Sequence, residues 1–74
     1  MDEELFSRQF QVEQKIFYVD VKANKNGKYI KISEKSGGRK HNVLMPIGGL
    51  KILREVLEEI TRMIDETGGG IDEQ

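Results

Sequence analysis

Seventy-four residues make one domain, near the lower limit for a self-sufficient core; only 36% of them are apolar, and none is Trp. With no Cys and a single His, neither disulfides nor a structural zinc can staple so small a chain, so local packing or self-association must stabilise it. The net charge of −1 conceals a division: residues 1–7 carry −3, residues 8–40 carry nine basic side chains against three acids, or +6, and residues 41–74 carry −4.

The acidic Met1-Asp2-Glu3-Glu4 start is unlike a signal peptide, and no apolar run reaches membrane-span length. The chain therefore reads as a soluble, cytoplasmic protein with a loose acidic N-terminus over residues 1–4. Alternation begins near Phe10, where Phe10 and Val12 are apolar and Gln9, Gln11 and Glu13 are polar, the pattern of a half-buried strand. A tight turn at Glu13-Gln14-Lys15 leads to a second strand over residues 16–22, rich in β-branched and aromatic residues. Phe17, Val19 and Val21 share one face of it, and Tyr18, Asp20 and Lys22 the other.

Asn24-Lys25-Asn26-Gly27 signals a hairpin, with Asn26-Gly27 suited to the positive φ angles of a type I′ turn. The third strand, residues 28–34, buries Ile30 and Ile32 and turns Tyr29, Lys31 and Ser33 outward. A loop at Lys35-Ser36-Gly37-Gly38 precedes a fourth strand over residues 40–45, which Pro46 ends. The period then changes: Leu50, Leu53, Val56, Leu57, Ile60, Met63 and Ile64 form the stripe of an amphipathic helix. Gly68 is a stop signal, and residues 67–74 read as a loose tail beyond a single domain over residues 5–66. The fold class is α+β, a four-stranded antiparallel sheet followed by one C-terminal helix.

The basic charge lies where the strands lie. The outward face bears Tyr18, Lys22, Tyr29 and Lys31, with Lys25 and Lys28 at the turn. Rings interleaved with lysines suit sequence-tolerant binding of single strands, since rings stack on bases and cations offset phosphates. Composition alone is equally compatible with an ordinary solvated sheet face. Glu55, Glu58 and Glu59 read as a solvated helix face rather than catalytic carboxylates, and His41 has no Cys, Ser or second His in a catalytic pattern. Gly37-Gly38 and Gly48-Gly49 lack the Lys-Ser/Thr of a phosphate loop. No enzyme, metal, cofactor or small-molecule substrate is expected.

One long string is more specific. Lys15-Ile16-Phe17-Tyr18-Val19-Asp20-Val21-Lys22-Ala23-Asn24-Lys25-Asn26-Gly27-Lys28-Tyr29-Ile30-Lys31-Ile32 closely resembles the PUR repeat of the Pur-alpha type purine-rich-element-binding proteins. The Gly37-Gly38-Arg39-Lys40 loop and the following helix are similar too, so the resemblance covers roughly residues 5–64. It implies a ββββα repeat, two copies of which intertwine to bind single-stranded DNA or RNA rich in G, with a role in transcription or RNA regulation. The family's contact motif is a Lys, an Asn two residues on and a basic residue two further on; Lys22 and Asn24 match, and Asn26 replaces the third, with Lys25 beside it. Tyr29 stands at the family's base-stacking aromatic, and Lys15, after Gln14, at its first-turn basic position. The nucleic-acid contacts so implied are Lys15, Lys22, Asn24, Lys25, Lys28 and Tyr29. A rival reading keeps the fold and the dimer but makes the chain a protein-interaction module with weak or no nucleic-acid binding; Glu13, Asn26 and the acidic total favour it.

Overall fold

The computed structural model describes residues 2–67. Four strands, β1 (Glu3–Val12), β2 (Lys15–Asn24), β3 (Gly27–Ser36) and β4 (Arg39–Pro46), form one antiparallel sheet in the order β1-β2-β3-β4. A short 3-10 turn (Ile47–Gly49) leads into helix α1 (Leu50–Glu66). The α+β architecture expected from the sequence is the one observed. The expected Gly68 stop and most of the expected tail lie outside the described residues.

The hairpin turns set the register. The β2–β3 turn corrects the sequence reading: Asn24 pairs with Gly27, so its central residues are Lys25 and Asn26, not Asn26 and Gly27. The Asn24 Oδ1 accepts the Asn26 backbone N–H at 2.8 Å, an arrangement suited to a type I turn, with Asn at its first position and Gly at its fourth. Positive φ is confined to Gly27 here, at 128°. The two-glycine turn is the one that carries positive φ at both central positions, Gly37 at 57° and Gly38 at 86°.

β1 starts seven residues before the alternation at Phe10, so Glu3 and Glu4, expected in a loose terminus, lie in the strand. A register shift between Glu4 and Phe6 explains the discrepancy. The bulge there places Leu5 between them, and the neighbouring apolar Leu5 and Phe6 mask the two-residue period.

Register gives the sheet two faces. One carries Phe6, Phe10, Phe17, Val19, Val21, Ile30, Ile32, Val43 and Met45 in cross-strand rows, with Phe10 and Phe17 stacked at 5.4 Å between centroids. The other carries Tyr18, Lys22, Tyr29, Lys31, Lys35 and Lys40. Among the described residues only Ile30 and Ser33 are buried.

The helix does not cover the apolar face. It continues from the 3-10 turn and packs on none of the strands to any extent. Most of its apolar stripe is open, with Leu50, Val56, Leu57, Ile60 and Met63 between 43% and 52% exposed and Leu53 and Ile64 half-buried. A radius of gyration of 14.9 Å exceeds the ~11 Å of a compact domain of this length. No side chain caps the helix N-terminus, and no acidic first-turn or basic last-turn residue complements its dipole. A 17-residue helix with so little local support is marginal unless its apolar stripe is covered.

Candidate nucleic-acid interface

At the end of the sheet beside the β2–β3 turn, Lys22 pairs directly with Tyr29, and Tyr29 with Pro46. This row follows from the two-residue turn: counting back from Gly27 and Asn24 brings Tyr29 opposite Lys22 on the same face. Asn24 shares that face by parity but is committed to the turn through its Oδ1. Lys25 is exposed at the tip. Lys28 pairs with Ala23 and so starts from the apolar side, yet it lines the rim of a hollow of about 190 Å³ with Asn24, Asn26, Gly27, Tyr29 and Pro46. A second hollow, about 280 Å³, lies among Asp2, Asn24, Tyr29, Leu44, Met45 and Pro46. Tyr29 thus borders two recesses, and five of the six residues singled out in the sequence gather at this end.

Lys15 stands apart. It lies at the opposite end of β2, about 23 Å from Lys22 at ~3.3 Å per residue, and its odd offset puts it on the other face. There its ammonium pairs with Glu34 at 3.3 Å.

The environment of Tyr29 was not visible in the sequence. Asp2, just ahead of β1, reaches over β2, and its carboxylate accepts a hydrogen bond from the Tyr29 hydroxyl. That bond first, then burial and the Asp2 charge, hold the Tyr29 phenol above its ordinary 10.0. Glu4 pairs with Lys22 and so extends the Lys22–Tyr29 row itself, which sets two acids of the N-terminal segment against the two central residues of the site. Only the early start of β1 brings them there.

Toward the middle of the same face, Asp20 accepts a 2.6 Å hydrogen bond from Ser7, and the Lys40 ammonium lies 5.0 Å from the Tyr18 ring centroid. Sequence reading omitted Lys35 and Lys40. The Gly37-Gly38 turn supplies the missing signal, because a two-residue turn between Ser36 and Arg39 sets Lys35 opposite Lys40. Ser33, expected to face outward, has the expected parity but is only 1% exposed. Its row places it between Tyr18 and Asn42, and a small side chain between larger neighbours is easily covered. His41 lies exposed on the edge strand β4, opposite Glu34. No metal-binding cluster occurs among the described residues, and no helix among them is long and apolar enough to cross a membrane.

The fold and this face define a ββββα module with a basic, aromatic sheet surface. The chain belongs to the PurA family of single-stranded DNA- and RNA-binding proteins, whose family model matches residues 2–71. It is 45% identical over 49 residues to the transcription factor Pur-alpha 1 of Arabidopsis thaliana, a match covering 66% of this chain and 17% of that protein. It is 30% identical over 69 residues to the transcriptional activator plp-1 of Caenorhabditis elegans, covering 93% of this chain and 30% of that protein. The chain therefore spans less than a third of either relative. The family is one of nucleic-acid binders, not of enzymes.

Proposed function

We propose that the chain binds single-stranded DNA or RNA, with a preference for purine- and G-rich sequences, as a homodimer acting in transcriptional or RNA regulation. The observation that carries the binding surface is the Lys22–Tyr29 row on a sheet face that the helix leaves open. There the Tyr29 ring offers a base a stacking surface, and Lys22, Lys25 and Lys28 surround it with cations for phosphates. Asn24 holds the turn that presents them. Lys15 would contact only a strand long enough to pass the β1–β2 end of the sheet.

The homodimer is supported by two complementary bare surfaces: an apolar sheet face with no cover and an apolar helix stripe with nothing beneath it. A second copy supplies each with the other, which is the intertwined arrangement that the family resemblance implies. The names of the two relatives, a transcription factor and a transcriptional activator, support the regulatory role.

The protein-interaction reading has one observation in its favour, the placement of Asp2 and Glu4 against Tyr29 and Lys22. Both acids are exposed and sit at the end of an edge strand, where incoming phosphate can displace them. Fluorescence anisotropy with labelled G-rich, pyrimidine-rich and duplex oligonucleotides separates the readings. Tightest binding to the G-rich single strand is expected, and no binding to any of them would leave the interaction module.

A further inference from the structure

Tyr29 is not the only ring on the basic face. Tyr18 lies one strand away, opposite Ser33, and Ser33 is four residues along β3 from Tyr29. At ~3.3 Å per residue and ~4.8 Å between strands, the two rings start about 14 Å apart. That is about four steps of a stacked strand at ~3.4 Å each, and fewer of an extended one.

Three features distinguish the surroundings of Tyr18 from an ordinary surface tyrosine. The Lys40 ammonium lies over its ring at 5.0 Å, although Lys40 belongs to β4, two strands away. Lys40 starts opposite Lys35, so its side chain crosses β3 from the Lys35 row toward the row of Ser33 and Tyr18. Ser33 is 1% exposed, and its hydroxyl has no hydrogen-bond partner among the described residues. A buried hydroxyl left unpaired is unfavourable, and nothing among the described residues relieves it. Lys35 pairs with Lys40, setting two ammonium groups side by side at one end of this patch.

The geometry points to a second base-binding subsite at Tyr18, Ser33 and Lys40, closed in the free protein by Lys40 and opened by a nucleobase of the bound single strand. This rests on the single-strand reading above and extends it along the sheet. The base replaces the ammonium on the Tyr18 ring, and the released Lys40, beside Lys35, turns to a phosphate. Uncovering Ser33 gives its hydroxyl a partner on the base edge. A hydroxyl both donates and accepts, so the subsite takes any base and adds affinity without sequence preference.

The chain has two tyrosines and no tryptophan, which makes the test direct. In Tyr29→Phe a ring remains at position 29, and Tyr18 is the sole tyrosine emitter. Titrating this variant with a G-rich 12-mer is expected to quench its emission as the anisotropy of the labelled oligonucleotide rises. In the otherwise wild-type chain, Tyr18→Ala should bind about 5- to 150-fold more weakly, the equivalent of one lost stacked base, and Tyr18→Phe within about twofold of wild type. Ser33→Ala guards against misfolding: it removes an unpaired hydroxyl, so its melting temperature should hold or rise while its affinity falls.

Binding with Tyr18 emission unchanged, or with Ser33→Ala as tight as wild type, overturns the subsite and leaves the Tyr29 surface standing. If the wild-type chain binds no single strand, the proposed function itself fails, and this subsite with it.

Discussion

The proposed dimer places the α1 stripe against a second copy, and Ile60 near the middle of that stripe measures how much depends on it. Fully burying an isoleucine side chain is worth ~1.5–3 kcal/mol, so the 47% of Ile60 that remains exposed represents about 1 kcal/mol. A symmetric dimer counts it twice, about 2 kcal/mol in all. Ile60→Ala should therefore raise the dimer dissociation constant about 30-fold, and any cavity left unfilled adds to the effect. Ile60→Lys sets an ammonium in the same contact and should abolish the dimer. Sedimentation over a dilution series reads the association, and circular dichroism at the same concentrations reads the helix. Loss of helicity should accompany dissociation, because α1 has no side-chain cap at its N-terminus and no sheet beneath it. A wild-type chain that sediments as a fully helical monomer at micromolar concentration would refute the reasoning.

Binding to single strands should weaken with salt at a slope of about −2 to −3.5 in log K against log salt, for roughly three to five phosphates at ~0.7 each; a titration series with Lys22→Ala should flatten it by about one contact. In a Tyr18→Phe background, ultraviolet titration should show the Tyr29 phenol ionising above its ordinary 10.0, and Asp2→Asn should bring it back down. The sign is that of a raised pKa: the Tyr29–Asp2 contact is fully present below the ordinary phenol value and is lost as pH rises through the folded one. The same Asp2→Asn change should tighten oligonucleotide binding about two- to fivefold, the worth of one exposed charge contact. Glu13 holds a left-handed backbone at φ 56°, so Glu13→Asn should stabilise the chain by about 0.5–1 kcal/mol and raise its melting temperature by roughly 2–8 °C.

Periodicity exposed most of the fold because each element obeys one rule over its central residues. The change from a two-residue period to helical spacing falls after Pro46, where the structure turns from β4 into the 3-10 turn and α1. The pairing of Lys22 with Tyr29 was not accessible, because a turn centred on Asn26-Gly27 sets Asn24 opposite Tyr29, and the observed turn on Lys25-Asn26 shifts that register by two residues. The start of β1 was hidden by the Glu4/Phe6 bulge, which breaks alternation where the strand continues. The turn type was misread because Asn24, not Asn26, supplies the side-chain hydrogen bond that shapes it. Parity placed Ser33 on the correct face yet predicted its exposure wrongly, because burial depends on how far the neighbouring side chains extend. The hold of Asp2 on Tyr29 joins residues 27 positions apart, and no local pattern encodes it.

The account rests on Tyr29 as the stacking surface of a basic sheet face, and the affinity of Tyr29→Ala for a labelled G-rich single strand tests this most directly. A loss of ~1–3 kcal/mol, the range for one stacked base, is predicted, with a melting temperature close to wild type. Unchanged affinity with a large fall in stability would contradict it and make Tyr29 a packing residue.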